Sequence, residues 1–163
     1  MILRFFYNFK CIFAYSILFY FMNIRKLKHI SIEEASHINT LLKRLSPEAP
    51  YISHEKLERL LEDDSFSLFA AEEMETIIGM LTLTRCHTLA KSKYWIEDVI
   101  VEPASRGKGA GRMLVRTAIS HVKEQDEHAT IYLTSNPSRV EARALYRSEG
   151  FKEYDTGVFI ITM

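Results

Sequence analysis

Cysteine is almost missing: Cys11 and Cys86 are the only two in 163 residues. That excludes a disulfide framework, no paired Cys/His spacing suggests a zinc site, and a reducing cytosol is the compartment that fits. A charge excess is also missing, with 21 Lys and Arg against 21 Asp and Glu. Nothing in the overall balance therefore draws the chain to nucleic acid or another polyanion. Internal repeats and low-complexity tracts are absent, and the length is that of one domain able to bury its own core.

Acidic residues are wholly absent from the first 21 positions, which hold Arg4 and Lys10 as their only bases and an apolar run from Cys11 to Phe21. These 11 residues fall well short of the roughly 20 that cross a bilayer. Three readings stand: an extension upstream of a true start at Met22, a membrane-surface anchor, or a signal-peptide core that lacks an A-x-A-like cleavage site after it. Any membrane contact is expected through residues 1–21 alone. Without Arg4 and Lys10 the rest has 19 bases against 21 acids, a further argument against a nucleic-acid partner.

From Met22 onward helical and strand patterns alternate over short connections, as in a single α/β domain spanning residues 22–163. Asn23–Leu27 reads as a strand. Ser31 and Glu34 form a capping box before a helix whose Ile32, Ala35, Ile38, Leu41, Leu42 and Leu45 share one stripe. Pro47 and Pro50 break it, and Ser53 can cap a second helix carrying Leu57, Leu60 and Leu61. Residues 66–72 and 76–86 read as a hairpin, with Gly79 marking a bulge or close backbone approach. Tyr94–Val101 is a third strand, ended by Pro103. A helix from about Gly109 to Lys123 turns Leu114, Val115, Ala118, Ile119 and Val122 inward. Thr130–Leu133 forms a short strand, a last helix starts at Pro137 or Ser138 and ends at Gly150, and Phe151–Met163 can close a hairpin around Thr156-Gly157.

Between the third strand and the next helix lies Arg106-Gly107-Lys108-Gly109-Ala110-Gly111. A strand, a glycine turn and a helix N-terminus together suit a phosphate, because first-turn amides lack intrahelical acceptors and the dipole's positive end faces the anion. The glycines leave those amides uncovered, and Arg106 and Lys108 add charge. Alone, three spaced glycines also describe a flexible turn before a surface helix. No Gly-Lys-Ser/Thr closes the loop as in a Walker A motif, and the glycine order is not that of the dinucleotide fingerprint.

The flanks make the pattern specific. Ile96 to Pro103, then Arg106-x-x-Gly109-x-Gly111, then Leu114 to Ala118 resembles the coenzyme motif of the GNAT superfamily of N-acetyltransferases. Asn136-Pro137-Ser138 through Ala142, Leu145-Tyr146 and Gly150-Phe151 resembles that family's second motif, in the family's order and spacing. The resemblance covers residues 22–163, its first half mainly by topology. It implies a central mixed, mostly antiparallel sheet of about six to seven strands flanked by about four helices, in the order β-α-α-β-β-β-α-β-α-β-β. Acetyl-coenzyme A is the implied co-substrate, with no metal. An amine acceptor follows, either a small molecule or a peptide.

By the same resemblance, main-chain groups of Val99, Ile100 and Val101 pair with the pantetheine arm and one amide donates to the acetyl oxygen. Arg106, Gly107, Lys108, Gly109, Ala110, Gly111 and Arg112 hold the pyrophosphate. Asn136 hydrogen-bonds the coenzyme arm, or serves as a plain helix cap before Pro137. Ala142 lets the arm come close, and Arg143 with Arg147 either reaches coenzyme phosphates or is a solvated pair. Tyr146 is the candidate proton donor: a phenol near pKa 10 stays protonated at neutral pH and can serve a thiolate whose thiol lies near 8.5. The other reading is a ring packed in the core. For the general base, Glu97 is preferred to Asp98, with a water chain as the alternative; strand alternation sends the two to opposite faces. Glu48 and Tyr51 are softer acceptor-side candidates, and His54, His87 and His121 read as isolated surface residues. A non-catalytic acyl-coenzyme A module is the competing function, and an enzyme acting on charged RNA would want a basic surface. The implied protein is cytoplasmic, or peripheral to a membrane through residues 1–21, and a monomer or homodimer.

Overall fold

The computed structural model describes residues 22–163; the readings placed on residues 1–21 lie outside it. Its elements are β1 (Asn23–Lys26), α1 (Ile32–Leu45), α2 (His54–Leu61), β2 (Phe66–Glu73), β3 (Thr76–His87), β4 (Ser92–Val101), a single 3-10 turn (Pro103–Ser105), α3 (Ala110–Gln125), β5 (Thr130–Leu133) and α4 (Val140–Ser148). The five strands lie in sequence order in one sheet. The first three pairings are antiparallel and β4–β5 is parallel, the α3 crossover making the parallel step possible.

Strand alternation divides the core in two. On one face Leu68, Ala70, Ile77, Met80 and Ile100 pack under α1 and α2 through Ile38, Leu41 and Leu57. On the other, Phe69, Ala71, Leu81, Leu83, Tyr94 and Ile96 pack under α3 and α4 through Leu114, Val115, Ala118 and Tyr146. Ile32 departs from the expected stripe: at the first turn of α1 it is 77% exposed.

Local signals work as their chemistry dictates. The capping box of Ser31 and Glu34 is formed in both directions, and Ser53 accepts from the Lys56 amide at the start of α2. Met74 and Glu75 both take positive φ, the backbone that matches a two-residue hairpin turn to strand twist. Gly150 closes α4 at φ 94 while the Phe151 amide reaches back to the Tyr146 carbonyl, satisfying carbonyls the helix end leaves open.

Two expectations fail at the C-terminal end. The last helix starts at Val140 with Arg139 as its cap residue, not at Pro137 or Ser138. Asn136 instead accepts from the amide and hydroxyl of Ser138, turning the chain before the helix begins. The closing hairpin is also absent: residues 151–163 contain no strand, and Phe159, Ile160 and Ile161 are exposed. A tight turn joins the Thr156 amide to the Tyr154 carbonyl, but a ribbon without a third strand or a packed face gains too little to persist. The described sheet therefore has five strands and ends at β5. No helix among the described residues is long and apolar enough to cross a membrane.

Candidate active site

The site begins with one extra residue in β4. Met80 pairs with Ile100 and Thr82 with Glu97, so β4 spends three steps where β3 spends two. That β-bulge is taken up at Asp98, whose φ is 48. On the other side, pairing with β5 runs from Lys93↔Thr130 to Ile96↔Leu133 and stops. Beyond Ile96 the two strands part, and a cavity of about 530 Å³ opens between them, lined by Glu97, Asp98, Val99, Ser135, Arg139 and Tyr146 among others. A bulge bends its strand and re-aims side chains; here it also leaves the β5 side of Val99–Val101 without a strand partner. The Val99 and Val101 side chains pack on the α3 side and Ile100 on the α1 side, so backbone, not side chain, faces the gap.

The bulge corrects the sequence-based placement of the carboxylates. Thr82 lies opposite Glu97 and shares its face, and its hydroxyl donates to Asp98 Oδ2 at 2.9 Å. Glu97 and Asp98 therefore meet on one face, because the residue with positive φ breaks the alternation that would have separated them. Loss of surrounding water, then the charge of Asp98, pushes the Glu97 carboxyl above its ordinary range. A carboxylate so shifted is a stronger base.

Across the cavity stands Tyr146, 5% exposed and set edge-on to Phe151. Burial pushes its phenol up, and the nearby Arg139 charge partly opposes that. The ring sits in the core, and the same residue lines the cavity. Ala142, one turn earlier, packs half-buried beside it.

Beyond β4, Gly107 and Gly109 take φ of 79 and 93, backbone that side chains other than Gly rarely adopt. A Cβ at either would meet nothing within 4 Å, so the loop surface over the first turn of α3 is open. Gly109 caps α3 without a side-chain bond, leaving the amides of Ala110, Gly111 and Arg112 to an outside acceptor. Gly111 serves otherwise: its Cβ would come within 3.3 Å of Leu145, so it brings α3 close to α4. These features fit a coenzyme pyrophosphate, which needs uncovered donors at a helix N-terminus.

The arginines divide. Arg106 bonds the Val101 carbonyl through Nε at 3.1 Å and Lys108 pairs with Glu73, both beside the loop. Arg112 pairs with Glu149, as does Arg116, tying α3 to the end of α4. Arg143 donates to the Ser135 carbonyl and, with Arg147, holds Glu153; the pair lines a cavity of about 740 Å³ beside β5 that shares Thr134, Ser135, Tyr146 and Val158 with the first and includes none of residues 106–112. Asn136 lines the site cavity. Glu48 and Tyr51 are exposed in the α1–α2 loop, which buried Asn39 anchors through the amide and carbonyl of Ile52. His54 differs from a free surface histidine, its Nε2 lying 2.7 Å from the Ile30 carbonyl, and His121 is half-buried, edge-on to Phe69.

Sequence reasoning missed Arg139. Its guanidinium donates to the Val99 carbonyl at 2.9 Å, the carbonyl that the parted β5 no longer reaches. Spacing held a clue, since Arg139 precedes Tyr146 by seven residues, two helical turns.

A bulged strand with one strand partner over its second half thus leads through an open glycine turn to a helix N-terminus, with Tyr146 and Glu97 lining the gap. Residues 31–151 match the family described as Acetyltransferase (GNAT) family, and the chain belongs to it. It is 32% identical over 103 residues to the uncharacterized N-acetyltransferase YhfO of Bacillus subtilis, covering 62% of this chain and 68% of that one. With the N-alpha-acetyltransferase RimI of Mycobacterium tuberculosis it shares 30% identity over 77 residues, 47% of this chain and 46% of the other. The chain spans between 22% and 68% of the length of the curated relatives it matches. Among solved structures, the aminoglycoside N-acetyltransferase AAC(6')-Iy in complex with CoA superposes with a TM-score of 0.72 at 19% identity, covering 88% of this chain and 95% of that one.

Proposed function

We propose that this chain transfers the acetyl group of acetyl-coenzyme A to a primary amine by direct attack. The observation that supports it most is the cavity at the parted strands, lined by Glu97, Tyr146 and the stretch of β4 that β5 no longer pairs. Acetyl-coenzyme A supplies the activated acyl group. The α3 N-terminus and glycine turn hold its pyrophosphate, with Arg106 and Lys108 contributing charge, and the Val99–Val101 backbone receives the pantetheine arm. One amide of that stretch donates to the acetyl oxygen as negative charge develops there.

In the transfer, the amine nitrogen bonds to the acetyl carbon and the carbon–sulfur bond breaks. The proton lost by the amine passes to Glu97, directly or through water. The departing sulfur takes its proton from Tyr146, and the phenol is restored from solvent. Glu97's raised affinity for protons favours the first transfer at neutral pH, and a phenol that burial keeps protonated supports the second. The acceptor is a small-molecule or peptide amine. The names of the similar proteins include both kinds, an aminoglycoside enzyme and an N-alpha-acetyltransferase. The working compartment is the cytoplasm.

The test is thiol release from acetyl-coenzyme A by the full chain, across polyamines, aminoglycosides, amino acids and unblocked peptides. Release dependent on one class is the expected result. Absence of both release and coenzyme binding would overturn the proposal, whereas binding without release from any amine would mark a non-catalytic acyl-coenzyme A module.

A further inference from the structure

We propose that Arg139 is a positioning residue for the transfer, a tie across the parted strands that sets the distance between the coenzyme-holding edge of β4 and the Tyr146 phenol. The inference rests on the reading of Tyr146 as the proton donor.

Three observations carry it. The Arg139 guanidinium reaches the Val99 carbonyl at 2.9 Å across 40 residues of sequence, at the point where β5 has left β4. The backbone of Arg139 is the cap of α4, and its carbonyl accepts from the Arg143 amide at 3.0 Å. Its side chain is therefore fixed to the strand and its main chain to the helix. Tyr146 lies two turns along that helix, and both residues line the same cavity. A hydroxyl that must meet a departing sulfur tolerates little displacement, since small misplacements cost rate steeply. The other ties at the start of α4 do not reach β4: Asn136 and Ser138 bond each other, no side chain caps the helix, and Arg143 meets the Ser135 carbonyl and Glu153. The positive charge of Arg139 also opposes the upward push of burial on the phenol, which makes Tyr146 a better acid.

The experiment is a double-mutant cycle in the full chain with Arg139→Met, Arg139→Lys, Tyr146→Phe and the double variant Arg139→Met with Tyr146→Phe. Thiol release is followed with the best amine of the panel, and coenzyme affinity is measured with free coenzyme A. Arg139→Met is expected to lower kcat about tenfold or more while KM for acetyl-coenzyme A stays within about threefold. Arg139→Lys, which keeps charge and a donor, is expected to recover most of the loss. In the Tyr146→Phe background, Arg139→Met should cost less than about twofold further, because a positioning residue has nothing left to position. Full multiplicative losses, or a change confined to KM, overturn the role of Arg139 and leave Tyr146 standing. Wild-type turnover in Tyr146→Phe removes the donor reading and Arg139's route to the sulfur with it. Should Arg139→Met fail to fold by circular dichroism, Arg139→Gln carries the same cycle.

Discussion

The two halves of β4 do opposite work. From Ser92 to Ile96 the strand is paired on both edges, with β3 and β5, and Tyr94 and Ile96 are buried. From Glu97 to Val101 it keeps β3 alone, carries a bulge at Asp98 and turns an open edge to a cavity. The first half gives both edges to the sheet, whereas in the second the Val99 and Val101 carbonyls meet the Arg139 and Arg106 side chains in place of a second strand. An extra residue in the β3–β4 ladder and the end of β5 pairing at Ile96 together mark the difference.

Substitutions in the two halves should therefore fail in different currencies. The largest effect is expected from Ile96→Ala, in the fully paired half: Ile96 is 2% exposed, and such a deletion costs about 2–5 kcal/mol. Denaturant unfolding should show the loss, while kcat of the folded fraction stays close to wild type. An equal fall in kcat would erase the distinction between the halves.

Tyr146→Phe comes next and works across the open half. Loss of a general acid lowers turnover by about 100-fold or more, with coenzyme A affinity by calorimetry nearly unchanged. A similar fall in affinity would make the ring a packing element only.

Gly109→Val tests the loop into which the open half leads. The positive φ of 93 costs a β-branched residue about 1–2 kcal/mol, and its side chain would stand over the first-turn amides. KM for acetyl-coenzyme A should rise about tenfold with kcat less affected; an unchanged KM would separate the glycine turn from coenzyme binding. The smallest effect belongs to Asp98→Asn. Glu97 serves as base only when deprotonated, so the rate rises with pH through its elevated pKa. Removing the neighbouring negative charge lowers that pKa, and the acid limb of the pH–rate profile should move to lower pH. A limb that stays in place would take Asp98, or Glu97 itself, out of the reaction.

Much of this was legible where local chemistry governs. Ser31 with Glu34, Ser53 and Gly150 mark helix ends because backbone groups there need partners supplied within a few residues. Gly107 and Gly109 announce an open turn because only glycine adopts that backbone freely. Tyr146 came from its place in a motif, and the structure sets it in the core at the wall of the cavity. Less legible was anything that depends on two distant segments. Alternation sent Asp98 away from Glu97, and only the register against β3 shows the bulge that reunites them. The Arg143–Arg147 pair was correct as spacing, but it meets Glu153 rather than the loop. The tail after Phe151 reads as strand by composition, yet composition supplies no partner edge.

By itself the sequence determined the five strands and four helices and their order, though not the absence of a closing hairpin, because capping, periodicity and glycine backbone preferences act within one or two turns of chain. Tertiary structure alone decided where β4 parts from β5, which carboxylates share a face, and that Arg139 closes the gap at Val99. Those outcomes turn on register and on hydrogen bonds between residues up to 40 positions apart, which no local preference encodes.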